Sequence, residues 1–167
     1  EDIPLLPGEV VDATFMSLKA LDRFLAEQVA DAKAQGILFS LHLKATMMKV
    51  SDPVIFGRAV MSYFAGLFQK HADTFCELGI NPNNGLGDLE SKIQSLPAEH
   101  KAKIEIEIQA AIESGPDIYM VNSDNGITNF HVPSDVIIDA SMPALIRSGG
   151  KGWGIDGDEH DVKCVIP

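Results

Sequence analysis

Apolar side chains recur at spacings of three and four over Phe15, Leu18, Leu21, Leu25 and Val29, the stripe of an amphipathic helix. Asp12 or Thr14 is placed to cap its start, and Gly36 to end it. The pattern then changes. Ile37-Leu38-Phe39-Ser40-Leu41-His42-Leu43 is a short, nearly continuous apolar run directly after a helix stop, which predicts a buried strand. Ser51-Asp52-Pro53 opens a second helix, with Pro53 in its first turn, and Val54, Phe56, Val60, Phe64 and Phe68 carry that helix towards Gly79. Asn81-Pro82-Asn83-Asn84-Gly85-Leu86-Gly87 is the densest turn cluster in the chain.

A charged helical stretch follows from Asp88 to Ile112, broken at Leu96-Pro97. Within it Ile104-Glu105-Ile106-Glu107-Ile108 alternates as a strand would, but its surroundings are rich in Ala, Glu, Gln and Lys. Ile104, Ile108 and Ile112 also share one helical face, so the segment is read as helix. Gly115-Pro116 stops it. Ile118-Tyr119-Met120-Val121 is a second strand, Val132-Pro133-Ser134 opens a short helix to Arg147, and Gly149-Gly150 ends that helix. Val162-Lys163-Cys164-Val165-Ile166 reads as a last strand. The alternation predicts an α/β fold with helices packed on a sheet. No internal repeat or low-complexity tract interrupts it.

Composition narrows the function classes. At 167 residues the chain is one domain of ordinary size, able to bury a core without disulfides or metals. It is 46% hydrophobic and 22% charged, which excludes a disordered or fibrous chain. The formal net charge of −11 repels phosphate backbones and anionic lipid, so neither nucleic acid nor a membrane is expected as a partner. No apolar run approaches a membrane span and no signal peptide is recognisable. With only Cys76 and Cys164, a disulfide framework is excluded and a reduced, cytoplasmic setting is expected. The chain opens on Glu1 and closes inside the last strand-like run, which reads as a piece of a longer polypeptide.

Two stretches carry candidate chemistry. In Ser40-Leu41-His42-Leu43-Lys44-Ala45-Thr46-Met47-Met48-Lys49, an apolar strand runs straight into Lys44. Sites in open α/β sheets lie beyond the carboxyl ends of strands, where Lys44 falls. A lysine there can hold an anionic substrate or serve as acid or base; the alternative is a solvated lysine at a strand end. Lys49 is an equal candidate on spacing, and His42 reads as a packed core histidine. In the second stretch Asp135 and Asp139 are four apart and share a helical face, a spacing that suits a hard cation such as Mg²⁺ or Mn²⁺. Asp135 has a competing role favouring the helix N-terminus. Asp139, set among Val136, Ile137, Ile138 and Met142, needs a partner. Asp156-Gly157-Asp158-Glu159-His160-Asp161 lacks the glycine and glutamate of a calcium loop, and Asn84-Gly85-Leu86-Gly87 lacks the strand and third glycine of a dinucleotide fingerprint.

Three longer words resemble the monomeric NADP-dependent isocitrate dehydrogenases. They are Leu43 to Pro53 (LKATMMKVSDP), Asn81 to Leu89 (NPNNGLGDL), and Gly126 to Asp135 (GITNFHVPSD) running on to Pro143. The resemblance spans essentially all of residues 1–167, as a single internal segment of the family's large domain, in an isocitrate/isopropylmalate dehydrogenase-like fold. It implies oxidative decarboxylation of isocitrate to 2-oxoglutarate with NADP and Mg²⁺ or Mn²⁺, in a monomeric enzyme of the tricarboxylic acid cycle. It also implies that Lys44 is the catalytic lysine and Asp139 one metal-ligating aspartate. No cofactor-binding residue is assigned here, since NADP and the remaining metal ligands would be held by other parts of the parent chain. That remainder is the expected protein partner, and the segment is expected to be inactive alone. The competing readings are a lysine-based lyase built on Lys44 and a non-catalytic acidic interaction domain. The family reading further expects Lys44 and Asp139 to converge on one cleft.

Overall fold

The computed structural model describes residues 2–44, 47–133 and 138–166, with the backbone alone described at 138–141. The first helix, α1 (Leu18–Gln35), begins later than its apolar stripe suggests. Ser17, rather than Asp12 or Thr14, is the N-cap, its hydroxyl accepting from the Ala20 N–H. Leu21 and Leu25 are buried, whereas Phe15 lies in the extended lead-in and is exposed. The stop falls at Gly36 (φ 65°), whose N–H returns to the Ala32 and Lys33 carbonyls.

Strand β1 (Leu38–Leu41) is buried at every position, as its unbroken apolar run requires. The chain expected to form one helix to Gly79 instead forms three: α2 (Ser51–Tyr63), α3 (Ala65–Lys70) and α4 (Ala72–Glu77). The axis bends at Phe64 and His71, which keeps Leu67 and Phe75 in the core and sets Phe68 edge-on to Phe75 at 5.4 Å. A 3-10 turn at Pro82–Asn84 leads into α5 (Leu86–Lys92). After Leu96-Pro97 comes α6 (Ala98–Ser114), where the 3.6-residue period prevails over local alternation: Ile104 and Ile108 are buried and Ile106 is exposed.

The second strand region gives β2 (Met120–Asn122) and the two-residue β3 (Ile127–Thr128), paired antiparallel. Helix α7 (Ile138–Arg147) follows; its expected opening at Ser134 lies outside the described residues. The chain closes on a hairpin, β4 (Lys151–Trp153) and β5 (Glu159–Val165), of which only the second arm was expected. Asp156 and Gly157 form its turn, with the Gly154 N–H donating to the Asp158 carbonyl. The main sheet has the order β1-β5-β4, β1 and β5 being parallel. Phe39 also bridges in parallel to Ile118 on the free edge of β1. Three parallel chain directions therefore end on one side, with helices packed around them, and the α/β class holds.

Ion pairs tie the layers together. Arg58 of α2 grips Asp22 of α1 bidentately, Lys163 of β5 meets Asp31 of α1, and Lys70 and His71 both reach Glu107 of α6. No helix among the described residues is long and apolar enough to cross a membrane.

Gly85 (φ 88°) combines a positive φ with the closest approach to another backbone segment among the described glycines. A Cβ there would lie 2.4 Å from the His131 carbonyl oxygen, against a segment that also accepts the N–H groups of Leu86 and Gly87. At Gly36 a Cβ would meet nothing. Gly36→Ala is therefore expected to cost only the left-handed backbone term, about 1–2 kcal/mol. Gly85→Ala adds to similar strain the loss of one or both flanking hydrogen bonds, about 0.5–1.5 kcal/mol each. Urea denaturation of the two variants should rank them in that order; equal midpoints would contradict the packing.

Candidate functional site

The stretch from Leu41 to Asp52 turns a strand end into a shaped loop. Beyond β1, the His42 N–H donates to the Val165 carbonyl, carrying the parallel pairing one residue past the strand. The chain then leaves the sheet at Leu43, and Lys44 stands half-buried at the rim. Three contacts fix its backbone. Its N–H donates to Asp52 Oδ2 at 2.6 Å, and its carbonyl accepts the N–H groups of Met47 and Met48. Asp52, itself buried in the first turn of α2, also accepts the Ser51 hydroxyl at 3.1 Å, and its own N–H returns to the Met48 carbonyl. A carboxylate in a helix's first turn is favoured by the helix dipole, so the helix start and the lysine loop stabilise each other.

Asp52 thus emerges as a positioning residue that sequence reasoning read only as a helix start. Its burial beside a strand end was the missing information. Lys49, the equal candidate on spacing, sits exposed in the turn.

His42 is the other unusual group at this strand end. It is 1% exposed, its Nδ1 faces the Ser40 hydroxyl at 3.3 Å, and Tyr119 lies edge-on at 6.2 Å. Nε2 is buried without a hydrogen-bond partner. Burial holds the imidazole below its ordinary pKa, as it pushes the nearby Cys164 thiol up to about 11. His42 is the packed core histidine expected.

Asp139 lies at the second position of α7, and its side chain, like the whole of Asp135, is outside the described residues. Among the described residues no group of three or more His, Cys, Asp or Glu side chains could hold a metal ion. The hairpin acids follow this rule: Asp156 accepts from His160 and from the Asp158 N–H, which makes a turn and an ion pair.

A second constellation escaped the sequence reading. The Thr128 N–H and hydroxyl both meet His131 Nδ1 at 2.9 Å, and the hydroxyl accepts the Phe130 N–H. With Nδ1 accepting, the ring proton sits on Nε2, 3.6 Å from Glu90 Oε1. The residue between, Asn129, is buried and accepts the Leu41 N–H at 2.8 Å. The Thr-Asn-Phe-His word therefore braces the last residue of β1, three residues before Lys44.

Two outcomes follow from this geometry. Asp52→Ala leaves the Lys44 N–H and the Ser51 hydroxyl without their acceptor and should cost about 1–3 kcal/mol, read from urea midpoints; an unchanged midpoint would mean that the clamp is idle. His42 gives a pH signature. Its folded pKa is depressed, so above about pH 6.5 both folded and unfolded forms are neutral and stability is complete. Below that value the unfolded chain binds the extra proton and stability falls. His42→Gln should flatten that slope, and a slope surviving the substitution would assign it elsewhere.

Comparison with known proteins bears on the whole chain. A family model described as monomeric isocitrate dehydrogenase matches residues 1–167. The chain is 54% identical over 160 residues to an NADP isocitrate dehydrogenase of Azotobacter vinelandii. It is 55% identical over 165 residues to isocitrate dehydrogenase (NADP) 2 of a Psychrobacter species, and 53% identical over 166 residues to the protein of that name from Mycobacterium tuberculosis. These matches take in 96%, 99% and 99% of the chain but 22% of each relative, so it spans about a fifth of their length. A match that runs from one end of the chain to the other, at more than half of its residues, places it: the chain belongs to the monomeric isocitrate dehydrogenase family.

Proposed function

We propose that these residues form part of an NADP-dependent isocitrate dehydrogenase, as an internal segment of its large domain, and that Lys44 is its catalytic lysine. The observation carrying this reading is the setting of Lys44, half-buried beyond the carboxyl end of a fully buried parallel strand, with its backbone clamped by Asp52. A clamped backbone reduces the orientational freedom of the side chain it carries, which is how a positioned proton-transfer group gains over a solvated one. In the reaction, Lys44 would meet the oxygens of the anionic substrate and give or take a proton at Nζ.

In this reading the metal and the nucleotide are held mainly by parts of the family chain outside these residues. One aspartate at position 139 does not make the oxygen shell that Mg²⁺ or Mn²⁺ demands, and the described residues add no group of three or more His, Cys, Asp or Glu that could hold a metal ion. Nor does the glycine-rich word at Asn84–Gly87 offer its backbone to a phosphate, because the N–H groups of Leu86 and Gly87 are spent on the carbonyls of Phe130 and His131. Asp139 contributes one ligand in this reading. The rest of the metal shell and the NADP site come from the remainder of the family chain, which is the segment's partner. The isolated segment is then inactive, in a protein we place in the cytoplasm.

Two substitutions in the full-length enzyme separate the roles. Lys44→Met should lower turnover by about 10²–10⁴-fold and leave Mn²⁺ affinity unchanged. Asp139→Asn should weaken Mn²⁺ binding, with part of the activity recovered in excess metal. Near-normal turnover of the Lys44→Met enzyme would leave that lysine a solvated strand end. Borohydride trapping of an imine on Lys44 would support the lyase reading instead.

A further inference from the structure

A groove of about 630 Å³, whose lining does not include Lys44, lies between α5 and α6 beside the strand that enters β2. Its α6 wall comes from residues three and four apart on one helical face, including Ile108 and Ile112, and Ile118 and Met120 supply more apolar surface. The rim is acidic. Glu90, Glu105, Glu113 and Asp117 line it, and no lysine or arginine does. Lys101 meets Glu105 at 3.7 Å from one side, and His131 presents its Nε2 proton to Glu90 from the other. Among the described residues neither of these pairs extends to Glu113 or Asp117.

Two observations bear on what covers this face. Ile155, which lines the groove, is 64% exposed, and Ile106 of α6, outside the lining, is 69% exposed. Large aliphatic side chains left in water beside an apolar groove mark an interaction surface. The matched relatives are also several times longer than this chain, which covers 22% of each, so most of a family polypeptide lies beyond these residues. Charge supplies the third element. An apolar floor within a rim of carboxylates is complementary to a segment whose apolar residues are flanked by lysine or arginine.

We propose that this groove is the docking site for a basic, apolar-centred segment of the same polypeptide, drawn from the portion of the family chain outside these residues. The proposal rests on the reading of this chain as an internal segment of a longer enzyme. Docking there clamps α5 and α6 against the Thr128–His131 brace, whose two end residues also line the groove. The surface thus joins the segment to the remainder of its enzyme without using the residues proposed for catalysis.

The test is carboxylate footprinting of the full-length native protein with carbodiimide and glycine ethyl ester, each residue being compared with itself in the urea-denatured chain. Glu105, Glu113 and Asp117 should label at least several-fold more slowly in the native protein. Carbodiimide alone should link Glu113 or Asp117 to lysines outside this segment, within one polypeptide. Glu113→Lys, a change at an exposed helix position, should return Asp117 labelling towards the denatured rate and abolish those links. Native labelling as fast as denatured labelling would overturn the proposal. So would links confined to residues 2–166, or links found only between isotopically distinct copies, or a Glu113→Lys protein with an unaltered footprint. The footprint needs no turnover. A full-length chain that lacks isocitrate-dependent NADPH formation but keeps the protection would refute the catalytic reading and leave the docking surface standing.

Discussion

A single hydrogen bond between residues far apart in sequence, from the Leu41 N–H to Asn129 Oδ1, holds the architecture around the proposed lysine. It is buried, so losing the acceptor would strand a backbone donor away from water. Its neighbours share the constraint. Phe130 is fully buried and meets Phe39, Phe56 and Tyr63 with ring centroids 5.5–6.4 Å apart, while its carbonyl and that of His131 receive the start of α5. One four-residue word therefore touches β1, α2 and α5 together. Aromatic contacts supply the hydrophobic contribution and backbone hydrogen bonds fix the register.

That arrangement fixes the backbone of the path that leads to Lys44. Lys44 is held through its backbone, by a carboxylate belonging to the next helix. Asp52 and Asn129 act from opposite sides of the same short path, one on the residue leaving the sheet and one on the last residue within it. Both act on backbone N–H groups rather than on the lysine side chain.

Periodicity conveyed most of the fold and half of the candidate site. The α6 isoleucines declared a helix because burial follows the 3.6-residue period, and β1 declared itself through an unbroken apolar run. Lys44 was legible because a charged residue directly after such a run has few places to go. The breaks at Phe64 and His71 were not legible, since no proline stands at either bend, Gly66 is the one glycine near them, and the apolar spacing runs on through both. The β4 arm was hidden by its brevity, its single buried position and its hydrophilic turn. Asp52 and Asn129 look like ordinary cap and loop residues; what distinguishes them is a partner distant in the chain, which no local spacing records.

The parallel pairing of β1 with β5 has a kinetic meaning. Leu38–Leu41 meet Val162–Val165 only after nearly the whole intervening chain has been laid down. During synthesis β1 leaves the ribosome with an unsatisfied edge and an apolar face, and α1 can shelter one side of it at most. Closing so long a loop raises contact order and slows folding, and a strand waiting in that condition is exposed to pairing with other nascent chains. The polar and charged residues that crowd β5, Glu159, His160, Asp161 and Lys163, make that late-arriving strand a poor partner for anything but its own sheet.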